Sequence, residues 1–291
     1  MTVFVQALIL GGLTGGVYAL MTSGLTLSFG TMRVINLAQG IFVVLGSYLS
    51  YLFFTDVHID PILSILITAP AMFVLGFVLQ TIFLRPIRYN AHSLSLVMTW
   101  VMAIGIEGVL SIIFTTNQRS IVTSYANTSW TFGPFEVPAV RVYAFALSIV
   151  ILAGLYFLLE FSKFGRAVRA TSQRESAAKL LGVNTDRVSA VAFGIGCATA
   201  AAAGCLYGLI FIFNPNTQYD LIGRLLAIVV LGGLGSYKGA FIGAMTLGIC
   251  EALVQSFISP QWSDLPFFLI LALVLILRPQ GLFGLRERGA A

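Results

Sequence analysis

Charge is what this sequence has least of. Only 9% of its 291 residues are Asp, Glu, Lys or Arg, while 58% are hydrophobic, against the roughly 25% charged of an ordinary soluble domain. Water is therefore the wrong solvent for most of its surface. Cysteine is scarce too: Cys197, Cys205 and Cys250 form an odd set, lie within apolar runs and lack metal-ligand spacing. That argues against a disulfide framework or a metal site and leaves packing as their role. The histidines are His58 and His92, both solitary and near loops, and no Ser, Cys or acid set has catalytic spacing, so an intramembrane enzyme has little to work with. No G-x-x-x-x-G-K-[ST] phosphate loop occurs. A basic n-region and an A-x-A cleavage site are also missing, and the first apolar stretch is expected to be a retained span.

What is there is apolar and long. Residues 1–32, 34–55, 61–84, 142–159 and 188–219 hold no charged side chain, and about 20 apolar residues suffice to cross a bilayer as a helix. Apolar segments fall at 4–28, 36–54, 62–84, 94–116, 139–161, 188–212, 223–237, 239–257 and 264–278. The expected fold is all-α, a polytopic transmembrane bundle of eight or nine spans. The uncertain segments are 223–237 and 264–278, whose charge-free cores reach only roughly 20 Å against a hydrocarbon thickness near 30 Å. Each is expected to be tilted, broken or partly re-entrant.

The net charge of +5 would raise the question of nucleic acid in a soluble protein, but here it has another explanation. Six of the sixteen Lys and Arg, namely Lys163, Arg166, Arg169, Arg174, Lys179 and Arg187, fall in one segment, and Arg278, Arg286 and Arg288 close the chain. Such clusters mark cytoplasmic connections. Arg33 and the turn from Arg85 to Arg88 belong with them, opposite an acidic connection at Asp56, His58 and Asp60. An alternating walk across nine spans with the N-terminus outside puts every basic connection inside, Lys238 included; eight spans would break that agreement. The polar stretch 117–138, with Asn117, Gln118, Arg119, Asn127 and Glu136, then lies outside. It is either a partner surface or an ordinary solvated loop.

Glycine is abundant and ordered: Gly11 and Gly15, Gly12 and Gly16, Gly204 and Gly208, Gly239 and Gly243 stand four apart. In lipid, such faces let helices approach closely. Two segments read as interrupted helices. Residues 30–40 set Arg33, Asn36, Gln39 and Gly40 between apolar runs, and residues 231–239 set Gly232, Gly233, Gly235, Gly239 and Lys238 between two others. Backbone of this kind at membrane depth belongs beside protein or a water-filled route; the alternative is a plain turn at the cytoplasmic surface. Glu107 and Glu251 stand in otherwise apolar segments and are candidates for the lining of a path, with Arg224 a conceivable partner of Glu251. Gly105 and Gly108 beside Glu107 suggest a packing site instead.

The basic loop 161–193 carries its own short amphipathic helix. Residues 173–181 favour helix, Ala177, Leu180 and Leu181 share a face, and Gly182 with Asn184 supplies a stop. This suits docking into a groove of a cytoplasmic partner, or lying flat on anionic lipid.

At this loop a resemblance enters. The run Ser176-Ala177-Ala178-Lys179-Leu180-Leu181-Gly182 is similar to the E-A-A-x-x-x-G coupling motif of ABC importer permeases, with Ser176 where the glutamate usually stands and Glu175 one place early. Together with GGVYALMTSGLTLSFGTMRVINLAQGIFVVLGSY near the start, GRAVRATSQRESAAKLLGVNTDRV in the loop, VVLGGLGSYKGAFIGA and RPQGLFG near the end, it resembles the high-affinity branched-chain amino-acid permease family, in its shorter paired subunit. The resemblance covers nearly the whole chain. It implies one permease domain over 1–291, with a coupling loop at 162–187 and an external loop at 117–138. It also implies a bacterial inner-membrane location with a cytoplasmic C-terminus, a second homologous permease subunit, two cytoplasmic ATPase subunits carrying ATP and Mg, and an external solute-binding protein. No cofactor and no metal is expected on this chain. The residues carried over to ATPase coupling are Arg166, Arg169, Glu175, Ser176, Ala177, Ala178, Leu181 and Gly182. Relatives that carry urea or short amides leave the substrate open, and an ion-coupled secondary transporter, resting on Glu107 and Glu251, is the rival mechanism.

Overall fold

The computed structural model describes residues 1–88, 92–126, 128–278 and 281–283. Asn127, Arg286, Arg288 and part of the C-terminal motif (Pro279, Gln280 and Gly284) lie outside the described residues, as do the side chains of Arg88 and His92.

Each of the nine apolar segments becomes a helix. In chain order these are α1 (Thr2–Met32), α2 (Gln39–Thr55) and α3 (Pro61–Leu79), which runs on through a π turn (Gln80–Leu84) into α4 (Arg85–Arg88). Next come α5 (His92–Phe114), a hairpin of β1 (Ser129–Phe132) and β2 (Phe135–Pro138), and α6 (Ala139–Phe161). The basic loop holds α7 (Lys163–Gln173) and α8 (Glu175–Leu180). The chain then continues through α9 (Thr185–Ile210), α10 (Thr217–Gly232), α11 (Tyr237–Phe257), a 3-10 turn (Pro260–Trp262) and α12 (Leu265–Leu277). Among the described residues, seven helices are long and apolar enough to cross a membrane: α1, α3 with its continuation, α5, α6, α9, α11, and α12 with the turn before it. The shorter α2 is apolar as well.

Helix α9 is buried along most of its length. Its segment Cys197–Gly204 is small on every face, and a helix small and apolar all round belongs at the centre of a bundle. Around it pack α1, α2 and α3. Helix α1 also runs against α11, with backbones nearly touching: a Cβ on Gly248 would stand 2.8 Å from the Gly11 carbonyl oxygen and from Gly15 Cα. Of the spaced glycines in the sequence, Gly11 and Gly15 serve this crossing, whereas Gly204 meets Val43 of α2 and Gly239 and Gly243 meet α10 at Gly232 and Ile228. Gly105 and Gly108 differ, because among the described residues nothing lies within 4 Å of a Cβ at either. Large apolar side chains such as Leu66, Ile112, Val150 and Ile276 are exposed around the outside, the surface of a protein made for lipid.

The connections sort into two ends. At one, Tyr125 donates a hydrogen bond to Asp60, Arg119 pairs with Phe213 through the backbone, Gln6 donates to the Glu136 carbonyl, and Phe4 packs near Phe257. Burial and the Asp60 bond push the Tyr125 hydroxyl well above the usual phenol range, so it stays a donor. At the other end a small separate core joins Leu27, Leu155, Leu159, Val168 and Val188, with Tyr237 against it. There Arg85 pairs with Asp186 at 3.2 Å.

The polar stretch 117–138 is not simply a loop. Residues 129–138 alternate around Gly133, whose φ of 61° supplies the positive φ that tight hairpin turns require. The short helix of the basic loop is also trimmed: residues 173–181 do not form one helix, because Arg174 is extended (φ −151°) and separates α7 from α8.

Candidate functional site

Helix α10 draws most of the candidate residues together. It begins six residues earlier than the apolar segment 223–237 suggests, at Thr217, because Asn214 and Thr217 cap each other reciprocally: each side chain accepts from the other's backbone N–H at 3.0 Å. That early start adds Gln218, Tyr219 and Asp220 as its first turn.

At this turn Gln218 Nε2 and Tyr219 Oη both donate to Glu107 Oε2, at 2.5 and 2.6 Å. The Glu107 carboxylate, half-buried on α5, thereby sits at the positive end of the α10 dipole. Gly40 meets the same turn from α2, where a Cβ would stand 2.6 Å from the Gln218 carbonyl oxygen. Helix α2 starts deep in the bundle: Gln39 Nε2 donates to the carbonyls of Met21 and Gly196, in the middle of α1 and α9. Asn36, buried beside it, accepts from the Ala38 N–H and donates to Gln39 Oε1. Thr99 Oγ1 on α5 accepts from the Leu37 N–H. The interrupted helix at 30–40 is therefore a buried break whose polar groups mostly serve backbone left open by the break. Beside the α10 start lies a cavity of about 440 Å³, lined by Tyr207, Asn214, Asn216, Thr217, Tyr219 and Asp220 among others.

Two turns on, Arg224 reaches the other acid. Its guanidinium meets Glu251 Oε1 at 3.0 Å and Asp264 at 2.6 Å, and donates to Tyr18 Oη at 2.9 Å. Tyr18 Oη donates in turn to Glu251 Oε2 at 2.9 Å. The guanidinium also lies over the Phe267 ring. Glu251, 3% exposed, is thus part of a closed network binding α1, α10, α11 and the start of α12. Of its members the sequence offered Glu251 and Arg224; Tyr18 and Asp264 carried no local signal.

At its far end α10 stops at Gly232, followed by Gly233 with φ 94° and Gly235 with φ 82°. Gly232 lies so close to Gly239 that a Cβ would stand 2.3 Å from the Gly239 carbonyl carbon. The C-terminal segment closes this break: the N–H groups of Leu282 and Phe283 donate to the carbonyls of Leu231 and Gly232, which a helix end would otherwise leave open. Two motifs distant in sequence are therefore one structural unit, and Gly232, Gly233 and Gly235 shape it without offering a polar side chain.

The residues carried over to coupling lie together on the basic loop. Arg169 staples α7 to the end of α6 through the carbonyls of Leu159 and Glu160 and the Glu160 carboxylate. Arg166 is exposed. Glu175 opens α8, pairs with Lys179 at 3.1 Å and accepts from the Thr185 hydroxyl at the start of α9. Ala178 is buried, whereas Ser176, Ala177, Leu180 and Leu181 are exposed, the two leucines to 89% and 83%. Gly182 ends the loop with φ 81° and Asn184 caps α9 by accepting from the Arg187 N–H.

Comparison with known proteins gives this arrangement a family. Residues 8–276 match the family described as branched-chain amino acid transport system / permease component. The high-affinity branched-chain amino acid transport system permease protein LivH of Escherichia coli K12 is 31% identical, over 98% of this chain and 96% of LivH. Its counterpart BraD of Pseudomonas aeruginosa is 28% identical over 98% and 97%, and a probable LivH of Methanocaldococcus jannaschii is 28% identical over 91% and 88%. No solved structure matches. A helical chain with seven helices fit to cross a membrane among its described residues, matched over nearly its whole length, belongs to the family of branched-chain amino acid transport permease components.

Proposed function

We propose that this chain is the translocating subunit of an ATP-driven importer for branched-chain amino acids or amino acids of similar size. It pairs with a second, homologous permease, receives solute from an external binding protein, and is driven by two cytoplasmic ATPase subunits that carry ATP and Mg. The chain crosses the bacterial inner membrane nine times, with its N-terminus outside and its C-terminus inside. Support comes from the gathering of Arg85, the basic loop and Lys238 at one end and of Asp56, Asp60 and Glu136 at the other.

One observation carries the reading: α8 holds Leu180 and Leu181 out of the bundle, almost fully exposed, on the end of the molecule where the basic residues collect. Two adjacent exposed leucines on a six-residue helix are unfavourable in water and suit a groove in a partner. Glu175 and Ala178 hold α8 to its own loop, so that a push on the leucines passes through Gly182 into α9, the central helix. The solute path runs beside the first turn of α10, where Glu107, Gln218 and Tyr219 offer charge and hydrogen bonds next to a cavity, and opens to alternate sides as the bundle rocks.

The test is Leu180→Asp combined with Leu181→Asp. A buried leucine contributes about 1.5–3 kcal/mol, so losing two weakens ATPase docking by roughly 10²–10⁴-fold. The variant is expected to insert normally and to purify without ATPase subunits or solute-stimulated hydrolysis. Unchanged co-purification and uptake would sink the proposal.

A further inference from the structure

A second cavity, of about 260 Å³, lies where α3 passes through its π turn and meets the start of α9. Phe77, Gln80, Thr81, Arg85, Asn184 and Arg187 line it, with Asp186 and Ala190. The helix α3 buries Met72, Gly76, Gln80 and Leu84, a ridge of every fourth residue. In an α-helix such a ridge drifts around the axis; the wider π turn keeps Gln80 and Leu84 facing inward. Gln80 is fully buried, and its Oε1 accepts no hydrogen bond from the described residues. An amide oxygen without a donor inside a protein costs free energy comparable to a lost hydrogen bond. Gln80 stands behind the cavity wall, with this oxygen covered by protein, and so helps to shape the floor.

The rest of the wall sorts by chemistry. Arg85 and Arg187 supply two cations; the Asp186 carboxylate pairs with Arg85 at 3.2 Å and fixes its position, leaving a net positive charge. Asn184 and the first turn of α9 add the positive end of a long helix. Toward the outside the cavity meets Phe77, which continues into the exposed apolar face of Val74, Val78, Ile82 and Phe83, a surface suited to acyl chains. A cationic pocket that opens onto a lipid-facing helix at the basic end of the bundle is matched by one kind of molecule.

We infer that this cavity binds the head group of an anionic phospholipid, such as phosphatidylglycerol, with the phosphate at Arg85 and Arg187. The inference needs only that the chain spans a membrane with this end at a leaflet surface; it does not depend on ATPase docking. Its consequence is mechanical. The lipid braces the start of α9, three residues after Gly182, against α3.

The test is native mass spectrometry of the full-length chain, in whatever complex it purifies, titrated with phosphatidylglycerol, with phosphatidylcholine of matched chains, and with inorganic phosphate. The expected result is one saturable phosphatidylglycerol site that phosphatidylcholine does not fill. Arg187→Gln, which leaves the Arg85 to Asp186 pair in place, should weaken it roughly tenfold, whereas Arg278→Gln leaves it unchanged. Equal uptake of both lipids, or unaltered binding in Arg187→Gln, overturns the inference. So does displacement of the lipid by stoichiometric inorganic phosphate, which would make the ligand a soluble anion. Loss of ATPase docking in the α8 leucine variant with this site intact would separate the two readings.

Discussion

Glu107 and Glu251 look alike in the sequence, each a lone acid beside small residues in an apolar segment, yet the fold treats them oppositely. Glu251 is buried and meets a guanidinium, a phenol and, at 3.4 Å, the Gln255 amide. Glu107 is half-buried and among the described residues receives only neutral donors, Gln218 and Tyr219. A carboxylate that is sealed and charge-compensated holds helices together. One whose charge is left uncompensated at a helix start beside a cavity can still act on a solute. The same residue type thus meets a charge-compensated network at one point of α10 and only neutral donors at another.

The largest effect should come from removing the cation. Arg224→Met leaves Glu251 buried beside neutral partners, and breaking a buried pair from one side costs about 3–5 kcal/mol. The expected outcome is a sharply lower melting temperature and poor recovery from the membrane. Adding Glu251→Leu to Arg224→Met should restore most of the loss, because replacing both charges removes the unpaired one. If the single variant were as stable as the parent, Glu251 would not be held as a structural charge and the comparison would collapse.

A smaller loss is expected from Tyr18→Phe. This removes one hydroxyl that donates to Glu251 and accepts from Arg224 while keeping the ring against Phe267. A hydrogen bond to a charged group is worth roughly 1.5–3 kcal/mol, and direct contact between Arg224 and Glu251 survives. Thermal unfolding in detergent should place this variant between the parent and Arg224→Met, with uptake per folded molecule unchanged. A stable Tyr18→Phe with impaired uptake would instead move the network into the transport path.

Why the two acids look the same in sequence is a matter of range. The apolar segments were legible because lipid imposes length and composition on each helix separately, and all nine appear as helices within a few residues of the expected limits, apart from α10. That exception is instructive. The run Asn214-Pro215-Asn216-Thr217 is a capping signal, but it lies inside a charge-free stretch, and hydropathy alone starts the helix at Gly223. The missed turn holds Gln218 and Tyr219, the partners of Glu107. Tyr18 and Asp264 were invisible for another reason: they lie 233 and 13 residues from Glu251, and only packing brings them together. The hairpin at 129–138 hid behind its polar flanks. The exposed face of Ala177, Leu180 and Leu181 was readable because a short loop helix is decided by its own residues.

The subtlest effect is on Glu107 itself. Glu107→Gln keeps the shape of the side chain, and its amide oxygen can still accept from Tyr219 and Gln218. The charge it removes is half-exposed and unopposed by any cation among the described contacts, so stability should change by less than about 1 kcal/mol. If the carboxylate meets the ammonium group of a passing amino acid, uptake should fall several-fold while ATPase subunits still co-purify and basal hydrolysis is unaltered. Glu107→Gln is thus the mirror image of Arg224→Met, since one changes transport without stability and the other stability first. A transport rate equal to the parent's would mean that Glu107 merely fastens α5 to α10. The two acids would then differ in degree of burial and not in kind.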